Sequence, residues 1–94
     1  MPEPLRELER VLHSRRHGAP DGSYSAGLLA DPERLQRKIM EEAFEVCLEL
    51  GRGDVDRARV AEEAADLVFH LMVGLTGAGV DLSDVEDVLE ARRR

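Results

Sequence analysis

Along this chain apolar residues recur at intervals of three and four, and no segment alternates convincingly. That spacing predicts amphipathic helices rather than strands. Four helices follow. The first runs from about Pro4 to His17, with Pro4 in the first turn and Leu5, Leu8 and Leu12 on one face. The stretch from His17 to Ser25 is dense in Gly, Pro, Asp and Ser and reads as a loop, longer than a minimal helix–helix turn needs. The second helix opens at Asp31 and Pro32, a good cap and a good first residue. It carries the stripe Leu35, Ile39, Ala43, Val46 and Leu50 and stops at Gly51 and Gly53. The third starts near Asp54 and runs to about Gly77 or Gly79; it is apolar on almost every side from Ala64 to Val80, which predicts a central position. The fourth opens at Ser83, with Glu86 at capping-box spacing, and ends in Arg92, Arg93 and Arg94, cations at the negative end of the helix dipole.

Composition narrows the picture. Ninety-four residues fit one all-α domain spanning 1–94. A chain this short buries only about 60–65% of its unfolded surface, so a partner copy would help. A net charge of −7 argues against non-specific binding to nucleic acid or anionic membranes and suits a protein that holds cations. One cysteine, Cys47, leaves no intramolecular disulfide, and it reads as a packing residue. The polar N-terminus does not resemble a signal peptide, and the apolar stretch from Leu67 to Val80 is too short to span a bilayer. The expectation is a soluble cytoplasmic protein in a reducing compartment.

The acidic residues carry the candidate chemistry. On a helical wheel Lys38, Glu42, Glu45 and Glu49 fall within an arc of roughly 60°, with Glu41 just outside. Like charges at this spacing destabilise a helix. The third helix has a matching strip of Arg59, Glu63, Asp66 and His70, in a stretch that otherwise looks buried. Antiparallel packing across the Gly51–Asp54 connection would face Glu42 and Glu45 toward Glu63 and Asp66, and a buried unpaired carboxylate calls for a cation. Carboxylates without thiolates favour Mg²⁺ or Mn²⁺ over zinc. The bland alternative is a solvated acidic face. Lys38 can reach a phosphate or pair with Glu42 at i, i+4, and His70 reads more simply as a satisfied core or interface residue than as a catalyst.

The run Lys38-Ile39-Met40-Glu41-Glu42-Ala43-Phe44-Glu45, followed by Glu63-Ala64-Ala65-Asp66, resembles the E-E-x-x-E … E-x-x-D signature of the MazG-like all-α nucleoside-triphosphate pyrophosphohydrolases. Pro20 to Ser25, Lys38 and the stretch Glu63 to His70 resemble the phosphoribosyl-ATP pyrophosphatase branch of histidine biosynthesis, from about Leu5 to Leu89. Ser25 stands where that branch usually has Thr, Met40 where Gly is frequent, and Phe69 where Tyr is frequent; no candidate ligand is lost. The resemblance implies a four-helix, MazG-like bundle assembled as a homodimer. It implies Mg²⁺-dependent hydrolysis of phosphoribosyl-ATP to phosphoribosyl-AMP and pyrophosphate. It assigns the metal to Glu42, Glu45, Glu63 and Asp66, catalysis to Glu41 and Glu42, and substrate contacts to Arg15, Ser23, Tyr24, Ser25 and Lys38. With no cyclohydrolase-like segment, a stand-alone protein is expected. The alternatives are hydrolysis of other NTPs or dNTPs, and a non-catalytic helical dimerisation module.

Overall fold

A computed structural model describes residues 3–18 and 23–93. Among these residues the secondary structure is all helical, with five helices: α1 (Pro4–Gly18), α2 (Tyr24–Leu29), α3 (Pro32–Leu50), α4 (Arg57–Ala78) and α5 (Leu82–Ala91). The all-α expectation holds, and the number of helices rises from four to five.

α2 is the addition. It has only six residues, too few to show a helical period, and occupies part of what reads as loop. Two local causes form it. Ser23 caps it, its Oγ accepting the Ala26 N–H at 3.3 Å. Leu28 is then carried into the core with no exposed surface. Pro20, Asp21 and Gly22, part of the motif noted above, and Arg94 lie outside the described residues.

α3 begins where the sequence predicts. Asp31 Oδ1 accepts the Arg34 N–H at 3.2 Å, and Pro32 follows the cap. α4 begins three residues later than expected. The cap is Asp56, whose Oδ1 accepts the Ala58 and Arg59 N–H groups at 3.1 and 3.2 Å. α4 closes at Gly79, whose φ of +74° is a left-handed conformation that favours glycine. α5 starts at Leu82 rather than Ser83. Asp84 accepts the Asp81 N–H at 2.9 Å, and Glu9 of α1 accepts the Leu82 N–H at 2.7 Å. Two capping patterns overlap in Asp81-Leu82-Ser83-Asp84-Val85-Glu86, and the earlier one places half-buried Leu82 against the core.

α3 and α4 pack antiparallel. Leu35 and Ile39 lie beside Gly74, Glu42 meets Glu63 and Asp66, and Glu49 meets Arg59. A Cβ on Gly74 would stand 3.5 Å from Leu35 Cδ2 and 3.6 Å from Ile39 Cδ1, ordinary van der Waals contact, so this turn of α4 lies directly against the apolar stripe of α3. The core is small: Leu12, Leu28, Leu35, Met72 and Val73, one or two side chains from each of α1 to α4. α4 is central on one side only, because Val68 and Leu71 are exposed. On α3 Met40, Phe44 and Leu48 are exposed, and so is Cys47, against its reading as packing. Among the described residues no single helix is long and apolar enough to cross a membrane.

Candidate active site

The antiparallel pairing of α3 and α4 brings three of the four expected ligands together. One carboxylate oxygen from each of Glu42, Glu63 and Asp66 can be chosen so that all three lie within 4.8 Å of one another. Glu42 and Glu63 are half-buried and Asp66 is exposed, so the cluster sits at the rim of the helix seam. Glu45 is exposed and stands beside this trio, close enough for its charge to act on Glu63.

Glu63 registers the strain of this arrangement. Its carboxyl is pushed above the ordinary 4.5, first by partial removal from water; the Arg59 guanidinium opposes the rise, and the charges of Glu45, Asp66 and Glu42 add to it. The nearest cation, Arg59 Nη2, is 3.6 Å from Glu63 and 3.7 Å from Glu49, so one guanidinium serves two carboxylates.

Glu49 behaves differently from its neighbours on the wheel. It is only 4% exposed, and Arg52 holds it through Nε at 3.1 Å and Nη2 at 3.3 Å. It is a structural ion pair between the end of α3 and the start of α4. The sequence signal for it was Arg52 at i+3, with Arg59 just across the connection.

Lys38 pairs with Glu41 at i+3, Nζ to Oε2 3.5 Å, rather than with Glu42 at i+4. The side chain of Glu41 is mostly exposed and lies outside the three-carboxylate cluster. Arg15 sits half-buried in the last turn of α1. Its neighbour Arg16 donates from Nη1 to the Thr76 carbonyl at 3.0 Å, tying α1 to α4.

The hydroxyl residues gather at α2. Ser23 Oγ is the helix cap and lies 3.2 Å from the Oγ of buried Ser25. Tyr24 Oη is 2.9 Å from His70 Nε2, and His70 Nδ1 is 2.7 Å from the Asp66 backbone carbonyl. His70 is therefore a satisfied core residue. Spacing does not disclose the bond between Tyr24 and His70, because it spans 46 residues. His13 also finds a partner, with its Nε2 3.6 Å from Asp81 Oδ1.

Comparison with known proteins adds identity to this geometry. The family model described as Phosphoribosyl-ATP pyrophosphohydrolase matches residues 5–93. A phosphoribosyl-ATP pyrophosphatase of Cereibacter sphaeroides is 46% identical over 89 residues, covering 94% of this chain and 84% of the relative. One from Methanosphaerula palustris is 44% identical over 93 residues, covering 96% and 92%. A histidine biosynthesis bifunctional protein of Photobacterium profundum is 42% identical over 89 residues, which are 42% of its length. These matches run through every helix described above, and the chain belongs to the phosphoribosyl-ATP pyrophosphohydrolase family.

Proposed function

We propose that this protein hydrolyses phosphoribosyl-ATP to phosphoribosyl-AMP and pyrophosphate, as a step of histidine biosynthesis in the cytoplasm, and that it does so as a homodimer using Mg²⁺, or Mn²⁺ in its place. The observation that carries the chemistry is the convergence of Glu42, Glu63 and Asp66 at the rim of the α3–α4 seam in a chain of this family. The donor set fits a hard divalent cation: it is all oxygen, and Glu63 is short of compensating positive charge. Glu42, Glu63 and Asp66 would hold the ion, with Glu45 beside them. When bound, the ion supplies the positive charge that lets an acidic site accept a triphosphate and that stabilises the departing pyrophosphate.

The remaining work belongs to the chain's own side chains. The attacking water must lose a proton, and Glu41 and Glu42 are the candidates to take it. Glu41 is outside the trio and forms an exposed pair with Lys38, from which Lys38 would turn onto a phosphate oxygen as a point charge. Arg15 offers a second cation at the end of α1. Ser23 and Ser25, whose hydroxyl oxygens lie 3.2 Å apart at the start of α2, are the hydroxyl candidates for substrate contact.

The homodimer reading rests on Met40, Phe44 and Leu48 of α3 and Val68 and Leu71 of α4. They lie exposed at helical spacing, while among the described residues the core has only five buried apolar side chains. Phe44→Glu is expected to halve the molar mass measured by light scattering, and an unchanged mass would remove this face from the interface.

The direct test of function supplies phosphoribosyl-ATP and a panel of NTPs and dNTPs with millimolar Mg²⁺ and measures pyrophosphate release. Phosphoribosyl-ATP is expected to turn over fastest. Faster release from a plain NTP would reassign the substrate, and no release from any of them would leave a helical dimerisation module.

A further inference from the structure

Tyr24 presents a contradiction. The residue is 46% exposed, as a substrate contact would be, yet its hydroxyl is turned inward to a histidine that is only 6% exposed. The hydrogen-bond directions follow from one atom. The Asp66 backbone carbonyl can only accept, so the hydrogen of neutral His70 sits on Nδ1. Nε2 then carries a lone pair, and the hydroxyl of Tyr24 donates to it. The Tyr24 hydroxyl proton is thereby committed inside the protein. What the oxygen still offers outward is lone pairs, which suit a donor such as a sugar hydroxyl and repel a phosphate oxygen.

The surroundings hold this orientation from several sides. The Tyr24 ring stacks on Phe69 at 6.1 Å between centroids and 17° between planes. His70 stands edge-on to both rings, at 5.9 Å from Tyr24 and 5.2 Å from Phe69. The Arg34 guanidinium lies 5.7 Å from the Tyr24 centroid. The chain Tyr24–His70–Asp66 carbonyl therefore connects α2, which carries Ser23 and Ser25, to the turn of α4 that bears Asp66.

We infer that Tyr24 is a positioning residue for the hydrolytic site: it donates to His70 Nε2 and so sets the place of α2 relative to Asp66, and it makes no hydrogen bond to the triphosphate. The inference rests on the proposed hydrolysis for its kinetic consequence and not for its hydrogen-bond pattern.

Two measurements on the full-length protein test it. The first is nitrogen NMR of the His70 ring in wild type and Tyr24→Phe, a change that removes the hydroxyl and keeps the ring. Wild type is expected to show hydrogen on Nδ1 and a hydrogen-bonded, unprotonated Nε2, with the Nε2 resonance moving toward free imidazole in Tyr24→Phe. Hydrogen on Nε2 in the wild type, or an Nε2 signal blind to the substitution, would overturn the inference whether or not the protein hydrolyses phosphoribosyl-ATP. The second is a double-mutant cycle on turnover with Tyr24→Phe, His70→Asn and the pair. Tyr24→Phe is expected to lower kcat about five- to tenfold, the size of one lost hydrogen bond, with KM within about twofold of wild type. The double variant should then be no slower than His70→Asn alone. A KM that rises about tenfold with kcat unchanged, or losses that multiply in the double variant, would make Tyr24 a direct substrate ligand instead. Should His70→Asn fail to fold, the split between kcat and KM in Tyr24→Phe decides the kinetic half. Absence of any wild-type turnover would count against the proposed function alone.

Discussion

Two trios of ligand-type side chains satisfy the same distance condition. Glu9, His13 and Asp81 link α1 to the start of α5, and Glu42, Glu63 and Asp66 link α3 to α4; in each, three donor atoms lie within 4.8 Å. Their lone pairs have different fates. In the first trio Glu9 Oε2 accepts the Leu82 N–H at 2.7 Å, Arg6 lies 3.7 Å from Oε1, and His13 faces Asp81 at 3.6 Å. Every member has a task in holding α5 against α1, reinforced by the Arg6–Glu86 pair. In the second trio, among the described residues, only Glu63 has a cation near it, and that cation is shared with buried Glu49. Distance alone therefore does not separate a helix clamp from an ion site. Whether the fold's own donors already occupy the oxygens does.

The largest expected difference between the trios is in turnover. Glu42→Gln and Asp66→Asn should each lower phosphoribosyl-ATP hydrolysis about a hundredfold or more, the scale seen when one preorganised electrostatic group is removed, with helix content by circular dichroism unchanged. Glu9→Gln should leave turnover within about twofold. Equal losses in the two trios would erase the distinction.

Stability should show the reverse order. Glu9→Ala deprives the Leu82 N–H of its acceptor and loosens the entry to α5. A lost cap costs about 1 kcal/mol, which for a domain of this size lowers Tm by roughly 4–8 °C. Thermal melts of metal-free Asp66→Asn are expected to fall within about 2 °C of wild type, because Asp66 is exposed and its side chain caps nothing in the fold.

How much of this was legible in the sequence depends on the range of the interaction. α3 was readable because its stripe spans about four turns and Asp31-Pro32 is a local start signal. The acidic trio was readable because two helices joined by a short break leave one simple way to pack. α2 was not, since six residues carry no period and its stability comes from Leu28 entering a core built by other helices. The local capping pattern puts the start of α5 one residue late because the deciding acceptor, Glu9, lies 73 residues away. Glu49 shares its wheel position with Glu42 and Glu45, and only the arginines at the next turn and across the connection set it apart.

A smaller effect sharpens the contrast from the other side. Glu63 has a raised carboxyl pKa, so between the ordinary 4.5 and that raised value the native state binds more protons than the unfolded chain. Without metal its ionised form works against folding, a penalty fully present above the raised pKa and absent below 4.5. Metal-free Glu63→Gln should therefore melt slightly higher than wild type at neutral pH, and the gap should close as pH falls through this window. A variant that melts lower at pH 7 would mean that the contact with Arg59 outweighs the crowding.

The central claim is that the α3–α4 trio, and not the α1–α5 trio, receives a divalent cation. Isothermal titration of Mg²⁺, and of Mn²⁺ in parallel, into metal-free wild type, Glu63→Gln and Glu9→Gln reads this most directly. Saturable binding is expected in wild type and Glu9→Gln, with affinity in Glu63→Gln at least tenfold weaker. Undiminished binding in Glu63→Gln, or no binding in the wild type with either ion, would contradict it.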